Sequence, residues 1–196
     1  MAHAFAAEYK ALYSISGNSD DAVIDSILGH IEAQILRHTG GVTYVNTSEV
    51  TETNDHTGKA PYFYTRKRPI QSVTTIHQNS SIPRAFDADA LVDADTYDND
   101  DESGKIMYLA DGKYWLRGFK TTQVVYTPGY AAVANVPEDL VRLLLEWARA
   151  SHVKTEQRRH GVRSTNAGDG STNYEISRIP IEVTAILDLY TNLATG

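Results

Sequence analysis

Apolar residues recur at helical spacing in three places along the chain. Ile24, Ile27, Leu28, Ile31 and Ile35 follow three- and four-residue steps and make one stripe. Leu140, Leu143, Leu144, Trp147 and Ala148 make a second, with Arg142, Glu146 and Arg149 turned outward. Val183, Ile186, Leu187 and Tyr190 make a third. The punctuation agrees with the periodicity. Asn18 or Ser19 can cap the first helix, and Asp20 and Asp21 suit the positive end of its dipole. Gly40-Gly41 supplies its stop. The second opens at Pro137-Glu138-Asp139, where proline costs no hydrogen bond, and the third opens at Pro180. Helices are predicted over residues 4–13, 19–39 and 137–157, with one more at the C-terminal end.

Between residues 43 and 130 the pattern shortens. Tyr62-Phe63-Tyr64-Thr65, Ser72-Val73-Thr74-Thr75-Ile76, Lys105-Ile106-Met107-Tyr108-Leu109 and Gln123-Val124-Val125-Tyr126-Thr127 are short β-branched and aromatic runs bounded by turn formers. Asp101-Glu102-Ser103-Gly104 reads as a turn entering a strand, and Thr127-Pro128-Gly129-Tyr130 as a type II turn. The fold class that follows is α+β. Two long packed helices flank, in sequence, a small and mostly antiparallel sheet; Trp115, Tyr126, Tyr130 and Trp147 are expected to tie sheet to helix.

Residues 1–160 are expected to form one domain. Residues 161–196 hold a flexible glycine- and serine-rich linker, Gly161 to Asn173, and a C-terminal docking helix. A helix of two or three turns is marginal alone in water. Its apolar face must be covered by its own domain or by another subunit, and the linker favours the second.

Composition narrows the chemistry. The chain has 196 residues, 41% hydrophobic, which supports one sizeable core without general disorder. Its net charge of −7 argues against gripping DNA phosphates as a main task. It has no cysteine, which excludes disulfides, thiolate chemistry and cysteine-ligated metals. The first residues lack a basic n-region and an apolar h-region, so no signal peptide is expected, and no apolar run is long enough for a membrane span.

The order of these pieces resembles the head–tail adaptor proteins of tailed bacteriophages, in the version with a β insertion. Ser19-Asp20-Asp21-Ala22 resembles the family's acid-capped helix start. Arg66-Lys67-Arg68-Pro69-Ile70-Gln71-Ser72-Val73 is similar to its R-x-P-V-x-S-V strand, and Asp101-Glu102-Ser103-Gly104-Lys105-Ile106 to its acidic turn before a strand. Val124-Val125-Tyr126-Thr127-Pro128-Gly129-Tyr130 looks like V-T-Y-T-x-G-Y, and Val136-Pro137-Glu138-Asp139-Leu140 like V-P-x-D-L. Arg158-Arg159 falls where arginine often follows the family's long helix. No one motif is specific; the collinear series from about residue 8 to 190 carries the likeness. Val42–Pro61 and Asp87–Glu102 depart from the pattern.

The resemblance implies a structural virion protein rather than an enzyme. It would close into a ring, a dodecamer, docked under the portal protein and above the next neck or tail-completion protein. DNA would pass through without sequence-specific binding. The family has no catalytic residue, metal or cofactor to carry over, and no membrane partner. The location implied is the virion neck, after synthesis in the host cytoplasm. Three other readings compete: another neck or tail-completion protein of the same assembly, a nucleic-acid-binding protein using the basic cluster at 154–163, and a hydrolase, which would need a pocket of convergent titratable groups that the sequence does not show.

Three groups of residues carry the site expectations. The acids Asp93, Asp95, Asp98, Asp100, Asp101 and Glu102, with Asp87 and Asp89 before them, read as a solvated loop or as a channel lining that repels phosphate. A twelve-copy ring would carry about −84, twelve times the −7 of one chain. Calcium fits poorly: a loop begun at Asp98 has Ser103 where glycine is needed and Leu109 at the twelfth position. The cations Lys154, Arg158, Arg159, His160 and Arg163 offset a helix C-terminus or touch a neighbouring subunit, the portal or nucleic acid. With Arg158, Arg159 and Arg163, the stripe Val183, Ile186, Leu187 and Tyr190 is the expected subunit or portal contact. Arg66-Lys67-Arg68 reads as a solvated turn, and the seven histidines as surface or interface residues without ligand spacing. No Gly-x-Ser-x-Gly elbow is present, and Gly168-Asp169-Gly170-Ser171 lacks the lysine of a phosphate loop.

Overall fold

The computed structural model describes residues 3–81, 85–109, 113–156, 164–167, 170–173 and 181–192. The chain divides into two compact units, one built from Met1–Ile35 with Pro137–Tyr190 and one from Leu36–Val136 with Thr191–Gly196.

The first unit is helical. It holds α1 (Ala6–Leu12), most of α2 (Asp21–Thr39), α3 (Glu138–Glu156) and most of α4 (Ile181–Asn192). Ile24, Leu28 and Ile31 of α2 are buried, as their spacing requires. In α3 the burial is broader than one stripe: Leu143, Leu144, Leu145, Trp147 and Ala148 are all covered, while Arg142 and Glu146 stay outside. The loop before α2 is tied by Lys10, whose Nζ donates to the Gly17 carbonyl at 2.5 Å and to Asp21 Oδ1 at 2.7 Å. Val183 and Leu187 of α4 are buried within the chain. Inside the stretch read as a linker, Ser164–Ala167 (β7) pairs antiparallel with Gly170–Asn173 (β8).

Among its described residues the second unit contains six strands in two sheets rather than one. Its strands are β1 (Val50–His56), β2 (Tyr62–Tyr64), β3 (Ile70–Gln78), β4 (Tyr97–Asp100), β5 (Lys105–Tyr108) and β6 (Gly118–Pro128). One antiparallel sheet has the order β1-β6-β3 and the other β2-β5-β4. Phe63 and Ile106 from the smaller sheet join Ile70, Ile76, Val124 and Tyr126 from the larger one in a single core, with Trp115 among them. Trp115 is anchored at both ends of its chemistry. Its indole N–H donates to the Pro61 carbonyl at 2.8 Å, and Phe63 meets its ring edge-on at 4.8 Å.

The last turn of α2 closes as the glycine pair demands. Gly40 takes φ +66°, and the Gly41 N–H reaches back to the Leu36 carbonyl at 3.1 Å. A Cβ at Gly41 would run into the Arg66 carbonyl, so residues 66–68 lie directly against this turn. Arg68 is thereby buried, at 4% exposure, and is not the solvated cation expected from its turn-like surroundings. Its guanidinium donates to the Thr39 carbonyl at 2.9 Å, at the negative end of α2, which gives the buried charge a partner.

Candidate functional site

The acidic stretch is exposed from end to end: Asp87, Asp89, Asp93, Asp95, Asp98, Asp100, Asp101 and Glu102 all face solvent. Its last part is a hairpin. β4 alternates, so Asp98 and Asp100 point outward while Tyr97 and Asn99 point in, and residues 101–104 turn into β5. Gly104 takes φ +72° in this turn, and a Cβ there would strike Thr65 Oγ1. The turn is held by its backbone. The Thr65 N–H donates to the Gly104 carbonyl at 2.9 Å, and the Ile70 N–H to the Asp101 carbonyl at 2.8 Å. The carboxylates are therefore presented outward from a pinned frame. Ser103 Oγ donates to Asp100 at 2.7 Å and Asn99 Nδ2 donates to Asp101.

The register puts apolar residues beside these acids. Tyr62, Met107 and Asp98 form one cross-strand row on the outer face of the β2-β5-β4 sheet. Tyr64, Lys105 and Asp100 form the next. Tyr62 and Met107 are 40% and 37% exposed, and Lys105 lies over the Tyr62 ring at 4.6 Å rather than against Asp100. No group of acids and histidines among the described residues has the arrangement of a metal site.

A second surface was not anticipated. The segment Lys113-Tyr114-Trp115-Leu116-Arg117-Gly118-Phe119-Lys120 alternates cations with large apolar residues. Trp115 is its buried anchor, and every other residue but Gly118 is exposed, Phe119 at 63%. The sequence signal was present in this alternation, but a strand-like stretch following an acidic loop gives no sign of which side faces solvent. Beside it a groove of ≈ 360 Å³ is lined by Leu91, Val92, Asp93, Tyr108, Lys113 and Leu116.

The other expected contacts are scattered differently. Arg158, Arg159, His160 and Arg163 lie outside the described residues, as does the side chain of Lys154. Val183 and Leu187 are buried within the chain, Ile186 is half-buried, and Tyr190 donates to Asp139 of α3 at 2.7 Å. Among the described side chains of α4, Leu189 is the exposed large hydrophobic. The histidines are not all at the surface. His152 is 2% exposed in the helical unit, and its Nδ1 meets the buried Tyr9 hydroxyl at 3.0 Å.

Burial shifts two titratable groups in the sheet unit. Tyr126 donates its hydroxyl proton to Glu52 Oε1 at 2.6 Å and accepts from the Lys67 N–H at 3.1 Å. Burial, then the neighbouring Glu52 carboxylate, push its pKa up, so the phenol stays protonated. His56 packs between Phe63, at 5.2 Å, and Trp115, at 6.0 Å. Burial lowers its pKa, against a smaller opposing pull from Asp55, so the ring is held neutral. These groups brace the core and face no open cleft, and nothing in their arrangement resembles a nucleophile with its base.

No family model and no curated protein matches the chain. Solved structures do. The fold is similar to a chain in the neck of an empty gene transfer agent (GTA) particle computed with C6 symmetry, with a TM-score of 0.61 and 17% identity, covering 94% of this chain and 87% of that one. A chain in the neck of the native GTA particle computed with C12 symmetry gives a TM-score of 0.60 and 14% identity over 95% and 87%. A chain of the native GTA virion gives 0.60 and 17% over 94% and 87%. At such identities the likeness is one of fold, and it extends over almost the whole of both chains.

Proposed function

We propose that this protein is a structural subunit of a virion neck, a head–tail adaptor that closes with its own copies into a ring under the portal. The observation that carries this reading is the shared fold with neck chains over 94% of the length, in particles computed with C6 and C12 symmetry. The collinear adaptor-like motifs support it independently. DNA passes through the ring without sequence-specific contact, consistent with the chain's −7 charge. The task is recognition, with no bond made or broken, and the next neck or tail-completion protein docks on the side away from the portal.

The test is mass measurement of the purified full chain, alone and mixed with the portal protein encoded nearest to it. A ring-sized complex with the portal is the expected result. A chain that stays monomeric and ignores both the portal and its own copies would remove the adaptor reading.

A further inference from the structure

A ring closed by one repeated contact needs two different surfaces on each subunit, because a head-to-tail interface joins unlike patches. The sheet unit carries two patches with the required chemistry. One is the outer face of β2-β5-β4, where Tyr62 and Met107 lie beside Asp98, Asp100 and the turn acid Glu102. The other is the Lys113–Lys120 segment, with the cations Lys113, Arg117 and Lys120 around exposed Leu116 and Phe119. Each combines exposed apolar area with charge mainly of one sign, acids outnumbering Lys105 on the first and cations flanking the apolar residues of the second.

Within one copy the acidic turn and the basic segment lie apart. The acidic turn closes the β4–β5 hairpin at its Asp100–Lys105 end, whereas the basic segment packs at the other, where the Trp115 ring meets Tyr108 at 4.3 Å. The four-residue length of β5 alone separates the ends by roughly 10 Å. Nor are the charges spent locally. None of the Lys113, Arg117 and Lys120 side chains forms an ion pair among the described residues; the Lys120 ammonium lies over its neighbour Phe119 at 5.1 Å, while its backbone N–H donates to Asp55 Oδ1 at 2.7 Å. We infer that the Lys113–Lys120 segment of one copy docks on the acid-edged outer face of the β2-β5-β4 sheet of the next copy. Opposite charge then sets the register of the contact, and Leu116 and Phe119 against Tyr62 and Met107 supply its dry centre. This rests on the ring reading. It takes Asp98, Asp100 and Glu102 out of the channel wall and leaves Asp93 and Asp95 available for it.

Charge exchange in the full chain tests the pairing. One variant carries Lys113→Glu, Arg117→Glu and Lys120→Glu, the other Asp98→Lys, Asp100→Lys and Glu102→Lys, with folding verified by melting temperature. Each alone is expected to lose self-association, or ring formation on the portal, by more than about tenfold, because like charges then face each other. An equimolar mixture is expected to recover it. Because the chain has no cysteine, a second measurement is clean: a Met107→Cys copy mixed with a Leu116→Cys copy should give a disulfide-linked heterodimer on mild oxidation. Wild-type rings with unimpaired variants and no cross-link would overturn this pairing and leave the ring reading standing. A wild type that neither assembles nor cross-links would overturn both. Salt-dependent binding of duplex DNA, lost in the first variant while self-association persists, would assign the basic segment to nucleic acid instead.

Discussion

The helical unit and the sheet unit use their apolar residues in opposite ways. Among the described residues, Leu12, Val23 and Leu189 are the exposed large hydrophobics of the helical unit. The sheet unit exposes Tyr62, Leu91, Met107, Leu109, Tyr114, Leu116 and Phe119. The sheet unit also buries more polar side chains, Arg68, Thr121 and Thr122 among them, against His152 in the helical unit. A helical unit whose stripes are used up inside is a scaffold. A sheet unit that keeps apolar area and unpaired charge on its outside has surface left for partners.

That contrast is open to attack from both sides, and the largest effects lie in the two cores. Trp147→Ala in α3 and Trp115→Ala in the sheet core should each cost about 3–5 kcal/mol, read as a shift in the denaturant midpoint. The sheet variant also loses the indole hydrogen bond to the Pro61 carbonyl, which keeps its second donor, the Tyr108 N–H; a negligible cost at either site would mean that the residue belongs to an interface and not to a core. Next comes Tyr126→Phe, which leaves the Glu52 carboxylate and the Lys67 N–H without their shared hydroxyl and should cost about 1–3 kcal/mol in the same measurement.

A smaller effect should appear with pH. Burial lowers the folded pKa of His56, so protons bind the unfolded chain more readily below its ordinary value of about 6.5. Stability from this group is complete above that value and is lost as pH falls toward the folded pKa. Comparing wild type with His56→Phe between pH 7 and 5 should show the wild type losing more, and parallel curves would dismiss the effect. The smallest change is expected on the helical unit's outside. Arg142 pairs with Glu146 at 2.8 Å in full solvent, and Arg142→Ala should leave the unfolding midpoint where it was.

Much of the helical unit was legible in the sequence. The stripes of α2 and α3, the glycine stop at residues 40–41 and the proline before Glu138 each act through a local rule, and the helices run 21–39 and 138–156 against a predicted 19–39 and 137–157. Strands were legible where both faces are written in apolar residues, as in β5 and β6. β1 was not. Its residues Val50-Thr51-Glu52-Thr53-Asn54-Asp55-His56 are polar on both faces, and it is a strand because β6 offers it a ladder of hydrogen bonds along one edge. β4, equally polar, exists because it folds back on β5 through the acidic turn. These two fall in the stretches that departed from the adaptor pattern.

The site divides along the same line. Acidity, absence of cysteine and lack of any catalytic spacing belong to the sequence, because they depend only on which residues are present and how far apart. Whether Asp98 shares a face with Tyr62 and Met107, whether Trp115 points in while Phe119 points out, and whether Arg68 and His152 are buried belong to the tertiary structure alone. Burial such as this arises from partners 29 to 143 residues away, Thr39 for Arg68 and Tyr9 for His152, and no local pattern encodes contacts made at that distance along the chain.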